Sequence, residues 1–210
     1  MHVKELEHAS TLKFDRRKHS YLLGRVSAKM AINELVTDQS ADSIFTEYGI
    51  FQFPVVKNVH NSNIQVSISH CDNIGISVAF PEEHPLGIDI EKVEDKIVET
   101  LDRQLTEEEK TLLRKNNLFT DYGHTLLWTV KEGLSKIFRT GLMMDFKALE
   151  INTVELKDGI YESHYSTCAQ YKALSIFADQ YVCSMVVPKN TTIDLTTFWG
   201  QLKGALDTTS

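Results

Sequence analysis

The chain is 210 residues long, with 22 lysines and arginines against 29 aspartates and glutamates and a formal net charge of −7. A surface that is acidic overall argues against general nucleic-acid binding, which needs a basic footprint, but it leaves room for a local basic pocket. The length fits one large domain or two closely packed small ones.

In chain order, the first ten residues are charged and lack the apolar centre of a signal peptide. Residues 11–19 are basic, with Lys13, Arg16, Arg17, Lys18 and His19. The run reads equally as a solvated helix start or as part of an anion site. Leu22, Leu23, Val26, Met30 and Ile32 follow at roughly helical spacing, which predicts a helix over about 17–36. Tyr48-Gly49 opens a polar loop that runs to Asn63. Ile64 to Ser69 and Ile74 to Phe80 alternate apolar and polar residues, two strands around a turn at Asp72-Asn73. Leu86 to Glu91 reads as a third strand. Thr106 followed by three glutamates reads as a capped helix start. Helices are expected over about 106–115 and 122–138. The segment 147–187 returns to strands, with Asp158-Gly159 as a hairpin turn.

Two strand pairs echo each other. Ser67-Ile68 runs through a turn to Ser77-Val78 and Pro81, and Ser175-Ile176 runs through Asp179-Gln180 to Val186-Val187 and Pro188. The pattern suggests a duplicated unit. Cys71, Cys168 and Cys183 are odd in number and form no Cys-x-x-Cys pair. A disulfide framework and a cysteine zinc site are therefore not expected, and a reducing, cytoplasmic compartment is. No apolar run approaches a membrane span in length.

Three segments offer chemistry. In Gly87-Ile88-Asp89-Ile90-Glu91 the two carboxylates are two residues apart, so on a strand they share a face while Ile88 and Ile90 face the core. Paired hard-oxygen ligands suit Mg²⁺, whereas an isolated Asp-x-Glu is ordinarily a solvated strand end. In the 128–136 segment, Trp128, Glu132 and Lys136 fall on one helical stripe, opposite Leu127, Val130, Leu134, Ile137 and Phe138. A carboxylate beside an ammonium is what a metal–phosphate site needs, and it is equally what a plain helix ion pair looks like. Val66-Ser67-Ile68-Ser69-His70 ends a strand in a hydroxyl and an imidazole, which can bond phosphate oxygens. Adjacent strand residues point to opposite sides, so Ser69 and His70 are poorly placed as nucleophile and base.

Taken in order, Ser-Ile-Ser-His, Gly-Ile-Asp-Ile-Glu and Trp-Thr-Val-Lys-Glu-x-x-x-Lys resemble the 4'-phosphopantetheinyl transferase superfamily of the surfactin-synthetase-activating type, over about residues 12–142. The resemblance implies an α+β fold, a pseudo-dimer of two similar halves (1–98 and 99–210), each a small sheet packed with helices, with the active site in the cleft between them. It implies transfer of the phosphopantetheine arm of coenzyme A to a serine of an apo acyl or peptidyl carrier protein, with release of adenosine 3',5'-bisphosphate. Asp89, Glu91 and Glu132 match the family's magnesium ligands, and Lys136 its phosphate-contacting lysine. Ser69 and His70 match contacts to coenzyme A phosphates, and Tyr48 and Gly49 the segment lining the adenine. Lys131, Arg16 and Arg17 are further candidates for coenzyme A. Glu132, directly or through a water, takes the serine proton. A monomer is expected, without nucleic-acid or membrane partners.

Three positions depart from the family pattern. The family's Lys-Pro after the Tyr-Gly-like segment is replaced by Ile50-Phe51-Gln52-Phe53-Pro54, which moves a cationic contact, with Lys57 the nearest candidate. Arg139 stands where the first glycine after the helix lysine is usual, and Gly141 keeps the second. The family's early arginine near the 3'-phosphate has no clear match, although Arg16 and Arg17 are close. The rival readings are another magnesium phosphotransferase or phosphohydrolase, and a non-catalytic relative that binds coenzyme A or a carrier.

Overall fold

A computed structural model of the chain describes residues 1–40, 42–60 and 63–207. Of the loop expected up to Asn63, residues 61 and 62 lie outside that range. Helices α1 (Val3–Thr11) and α2 (Asp15–Leu35) are followed by two hairpins, β1 (Phe45–Tyr48) with β2 (Pro54–Lys57) and β3 (Ile64–Cys71) with β4 (Ile74–Pro81). Then come β5 (Gly87–Lys92) and helices α3 (Val98–Arg103), α4 (Glu107–Lys115) and α5 (Asp121–Phe138). Two more hairpins, β6 (Ile151–Lys157) with β7 (Ile160–Tyr165) and β8 (Tyr171–Ala178) with β9 (Tyr181–Pro188), lead to α6 (Thr196–Asp207). The result is α+β, with antiparallel sheets packed against helices.

The order helix, hairpin, hairpin therefore occurs twice. The strands 64–71 and 74–81 correspond to 171–178 and 181–188 at a constant displacement of 107 residues. Asp72 and Asp179 open the two matching turns with the same left-handed φ of 51°. The echo read from Ser67-Ile68 and Ser175-Ile176 is one residue out of this register. Structure places Ser175 opposite Ile68 in the repeat, and a one-residue slip exchanges the faces of a strand.

Local chemistry accounts for most elements. Thr106 caps α4 with a reciprocal box: its hydroxyl accepts from Glu109 N, and the Glu109 carboxylate accepts from Thr106 N. Asp158 and Gly159 both have positive φ, as the two-residue hairpin turn between β6 and β7 requires. Helix α2 buries a different face from the one its large apolar residues suggest. Its buried positions are Tyr21, Gly24, Arg25, Ala28 and Ile32, while Val26 and Met30 are exposed. Close approach decides this. Gly24 and Ala28 let the helix lie directly on β3 and β4, with Ile68 only 3.1 Å from where a Gly24 Cβ would be. The loop expected after Tyr48 is instead a short hairpin, and both α1 and α6 lie in segments not expected to be helical.

Strand β5 joins the two repeats. It pairs with β9 at the edge of a five-stranded sheet ordered β5-β9-β8-β7-β6. On its other side lies β3, whose serine hydroxyls stand in for a backbone ladder. Ser67 Oγ accepts from Ile88 N at 3.1 Å and Ser69 Oγ accepts from Ile90 N at 3.3 Å. Ile88 and Ile90 are fully buried in a core with Met185, Trp199 and Leu202. The alternate positions, Asp89 and Glu91, face the other way.

Helix α5 lies unusually close to β5. A Cβ on Gly87 would sit 2.0 Å from the carbonyl oxygen of Gly133. Gly87→Ala is therefore expected to push α5 off β5 and to cost about 1–3 kcal/mol in denaturant unfolding. Gly200→Ala is the control. That glycine lies in α6 with nothing within 4 Å of its would-be Cβ, so the change should be neutral or stabilising. Equal effects of the two substitutions would remove the close approach as the explanation.

Candidate functional site

Close contact of α5 with β5 brings the chemistry together. The Lys136 ammonium donates to the carbonyl of Ile88 at 2.7 Å and to Asp89 Oδ1 at 2.8 Å. Ser69 Oγ donates to the same Oδ1 at 2.7 Å. Asp89 is thus buried, with one oxygen doubly bonded and the other, Oδ2, buried without a hydrogen-bond partner. Glu132, one helical turn before Lys136, is half-buried, with Ser135 Oγ 3.4 Å from its Oε2. Burial, then the charge of Asp89, pushes the Glu132 carboxyl up to about 7. The same two causes push Glu91 up to about 7, with Glu132 adding to the repulsion. Asp89, Glu91, Glu132 and Lys136 line one cavity of about 320 Å³.

This donor set suits a hard divalent cation. It offers carboxylate oxygens, one of them orphaned, in an environment that penalises their unbalanced charge. Among the described residues, no group of three His, Cys, Asp or Glu side chains is closed into a ready metal-binding cluster.

The cavity opens at His70 into two larger ones, of about 1290 and 650 Å³, and all three share that side chain. Burial, then the nearby Lys136, holds the His70 imidazole below its ordinary pKa. That favours the neutral imidazole, which has both a donor and an acceptor to offer. Arg16 lines both outer cavities, Arg17 lines the smaller of them, and Tyr48 lines that one and the inner cavity. Structure thus brings Asp89, Glu91, Glu132, Lys136, Ser69, His70, Tyr48, Arg16 and Arg17 to one cleft.

Three expectations are corrected. Lys131 does not reach the cleft. It is fully enclosed, with its ammonium 2.7 Å from Glu109 Oε2 and 3.2 Å from the carbonyl of Gln104. One residue along a helix turns a side chain by about 100°, which is enough to send Glu132 to the cleft and Lys131 to the core. Gly49 is not among the residues lining these three cavities, and the Phe53 ring lies over its side-chain position. Lys57 pairs with Phe45 at the end of the hairpin remote from its tip, so it does not replace the missing cation.

Arg25 is a cleft residue that was missed. It is buried, its guanidinium lies 4.7 Å from the ring centroids of both Tyr21 and Tyr48, and Nε and Nη2 have no hydrogen-bond partner. It lines the same cavity as the carboxylates. A buried guanidinium with unspent donors is suited to an anion such as phosphate. The signal was present. An arginine four residues after Tyr21 lies on the helical face that carries Gly24 and Ala28, and a charge there needs a partner.

The comparison with known families concerns the part of the chain that holds the carboxylates. Residues 85–186 match the family model of the 4'-phosphopantetheinyl transferase superfamily. The match supports that superfamily. It takes in β5 with Asp89 and Glu91, α5 with Glu132 and Lys136, and the second pair of hairpins as far as Val186. It does not reach Ser69, His70 or the arginines of α2, and it does not single out the surfactin-synthetase-activating branch. None of the curated proteins compared with the chain matches it.

Proposed function

We propose that this protein is a 4'-phosphopantetheinyl transferase of the surfactin-synthetase-activating type. It would use Mg²⁺ to move the phosphopantetheine arm of coenzyme A to a serine of an apo acyl or peptidyl carrier protein. One observation carries the reading. A single cleft presents three carboxylates with an orphaned oxygen, an ammonium beside them, and a buried guanidinium with free donors beyond them. That arrangement is complementary to a diphosphate with its cation and a further phosphate group. The twofold helix–hairpin–hairpin order within one chain supports the branch.

Asp89, Glu91 and Glu132 would hold the cation. When bound, Mg²⁺ supplies neutralisation of the charge that builds on the diphosphate oxygens. Lys136 orients the diphosphate and offsets the same charge from the α5 side. Arg25, with Arg16 and Arg17 at the outer cavities, would hold the nucleotide phosphates. The carrier serine Oγ forms a bond to the β-phosphorus as the bond to the bridging oxygen breaks, and adenosine 3',5'-bisphosphate leaves. The serine proton passes to Glu132, directly or through a water.

The direct test is mass spectrometry of several apo-carriers incubated with coenzyme A, with and without Mg²⁺. A gain of one phosphopantetheine on a serine is expected only with the cation. Release of nucleotide without a carrier would replace this reading with a phosphohydrolase.

The carboxylates also predict a pH dependence. Glu91 and Glu132 have folded values near 7 against about 4.5 unfolded. Raised values mean that their contribution to stability is fully present below about pH 4.5 and is lost as pH rises through about 7. In chelator, Glu91→Gln should therefore melt closer to or above wild type at pH 8, with the difference fading by pH 4.5. Mg²⁺ should raise the melting temperature of the wild type at pH 8 and do little at pH 5, because ligands must be deprotonated to bind. Equal stabilisation at both pH values would remove these carboxylates as the ligands.

A further inference from the structure

The tip of the β1–β2 hairpin exposes what a surface turn normally hides. Ile50 is 89% exposed and Phe51 56% exposed. Such turns ordinarily carry Gly, Asn, Asp or Ser. Met143, in the short turn Gly141–Met143 after α5, is 68% exposed. Phe51 and Met143 belong to one surface, and Ile50 adjoins Phe51 at the tip. Phe51, Phe53 and Arg139 line both a cavity of about 390 Å³ that reaches Glu132 and Lys136 and an outer depression that reaches Met143 and Met144. Through these shared residues the inner cavity, which Glu132 and Lys136 line, adjoins the outer depression. Exposed apolar surface of this kind marks an interaction site.

Charge narrows the partner. On a chain with a net charge of −7, the outer depression is lined by one charged side chain, the cation Arg139. Arg139 caps α5 with φ 58°, the left-handed region that glycine occupies without strain. Its guanidinium lies 4.9 Å from the Phe53 ring centroid and donates to Gln65 Oε1 at 3.1 Å. The nearest carboxylate is a half-exposed Glu82 at 4.0 Å. A strained backbone position is kept here for a cation laid flat at the edge of an apolar rim.

We propose that this rim is the docking surface for the protein that presents the acceptor serine. The partner is a small acidic domain with apolar side chains flanking that serine and a carboxylate placed for Arg139. The inference rests on the transferase reading. The serine must arrive at Glu132 and Lys136, and the rim adjoins the cavity that they line. An apolar patch gives contact area, and the one charged side chain lining the outer depression, a cation, gives register and a reason for an acidic partner.

The test is steady-state transfer to an apo-acyl carrier at saturating coenzyme A and Mg²⁺, with Ile50→Asp, Met143→Asp, the double variant and Arg139→Gly. The first two sites are exposed, so folding should survive, and thermal melting checks this. Arg139→Gly removes the cation and suits the backbone. Each single change should raise KM for the carrier by about tenfold, and the double change by more, with kcat at saturating carrier and the Kd for coenzyme A held within about twofold. A double variant with wild-type KM would overturn the docking surface and leave the transferase reading standing. A weakened Kd for coenzyme A would give the rim to the small substrate instead. A wild-type dimer that Ile50→Asp dissociates would give it to a second copy of the chain. A wild type that modifies no carrier would defeat the transferase reading and this inference together.

Discussion

Asp89→Asn is expected to lower phosphopantetheine transfer by about 10²–10³-fold or more, the size of losing one preorganised electrostatic contact in a water-poor site. The amide keeps the shape of the carboxylate and can still accept from Ser69 Oγ and Lys136 Nζ at the Oδ1 position. At the orphaned Oδ2 position it presents a donor in place of an acceptor, which a cation cannot use. The charge that raises both Glu91 and Glu132 disappears as well. Their pKa values should fall, so any residual activity should extend to lower pH. The measurement is single-turnover transfer across a magnesium titration and across pH, with melting as a check on folding. Near-wild-type transfer at limiting magnesium would remove Asp89 from the site.

Lys131→Met is expected to cost about 3–5 kcal/mol of stability while leaving coenzyme A affinity unchanged. Lys131 and Glu109 are both fully buried and joined at 2.7 Å. The Glu109 carboxylate also accepts from Thr106 N and Ile151 N, so it ties α4, α5 and β6 together. Burial lowers the Lys131 pKa, while the Glu109 carboxylate beside it works in the opposite direction. Removing one partner of a buried pair leaves the other charge uncompensated, which is far more costly than losing a surface pair. Denaturant unfolding and calorimetric titration with coenzyme A separate the two roles. A stable variant that no longer binds coenzyme A would return Lys131 to the cleft.

These two residues show where reading the sequence worked and where it stopped. Elements set by short-range chemistry were legible: the alternating strands of 64–81, the capped start at Thr106, the Asp158-Gly159 turn and the long helix over 121–138. Each rests on steric and hydrogen-bonding preferences that act over a few residues. The strand alternation alone placed Asp89 and Glu91 on one face and Ile88 and Ile90 on the other. Helices α1 and α6 were not read, although His2 and Glu5 form a capping box and Trp199, Leu202 and Leu206 recur at helical spacing. Those signals are local, and they were available.

Other features have no local cause. The buried face of α2 follows from how closely Gly24 and Ala28 approach β3, not from where its largest apolar residues fall. The fate of Lys131 depends on Glu109, 22 residues away in the chain, and that of Arg25 on Tyr48 across the cleft. The meeting of Lys136 with Asp89 needs Gly87 and Gly133 to bring helix and strand into contact. Sequence by itself determined which residues are able to carry charge, cap a helix or turn a strand. Tertiary structure alone decided which charges are buried together and which face the cleft, because a charge has a free-energy meaning only relative to the groups that replace its water.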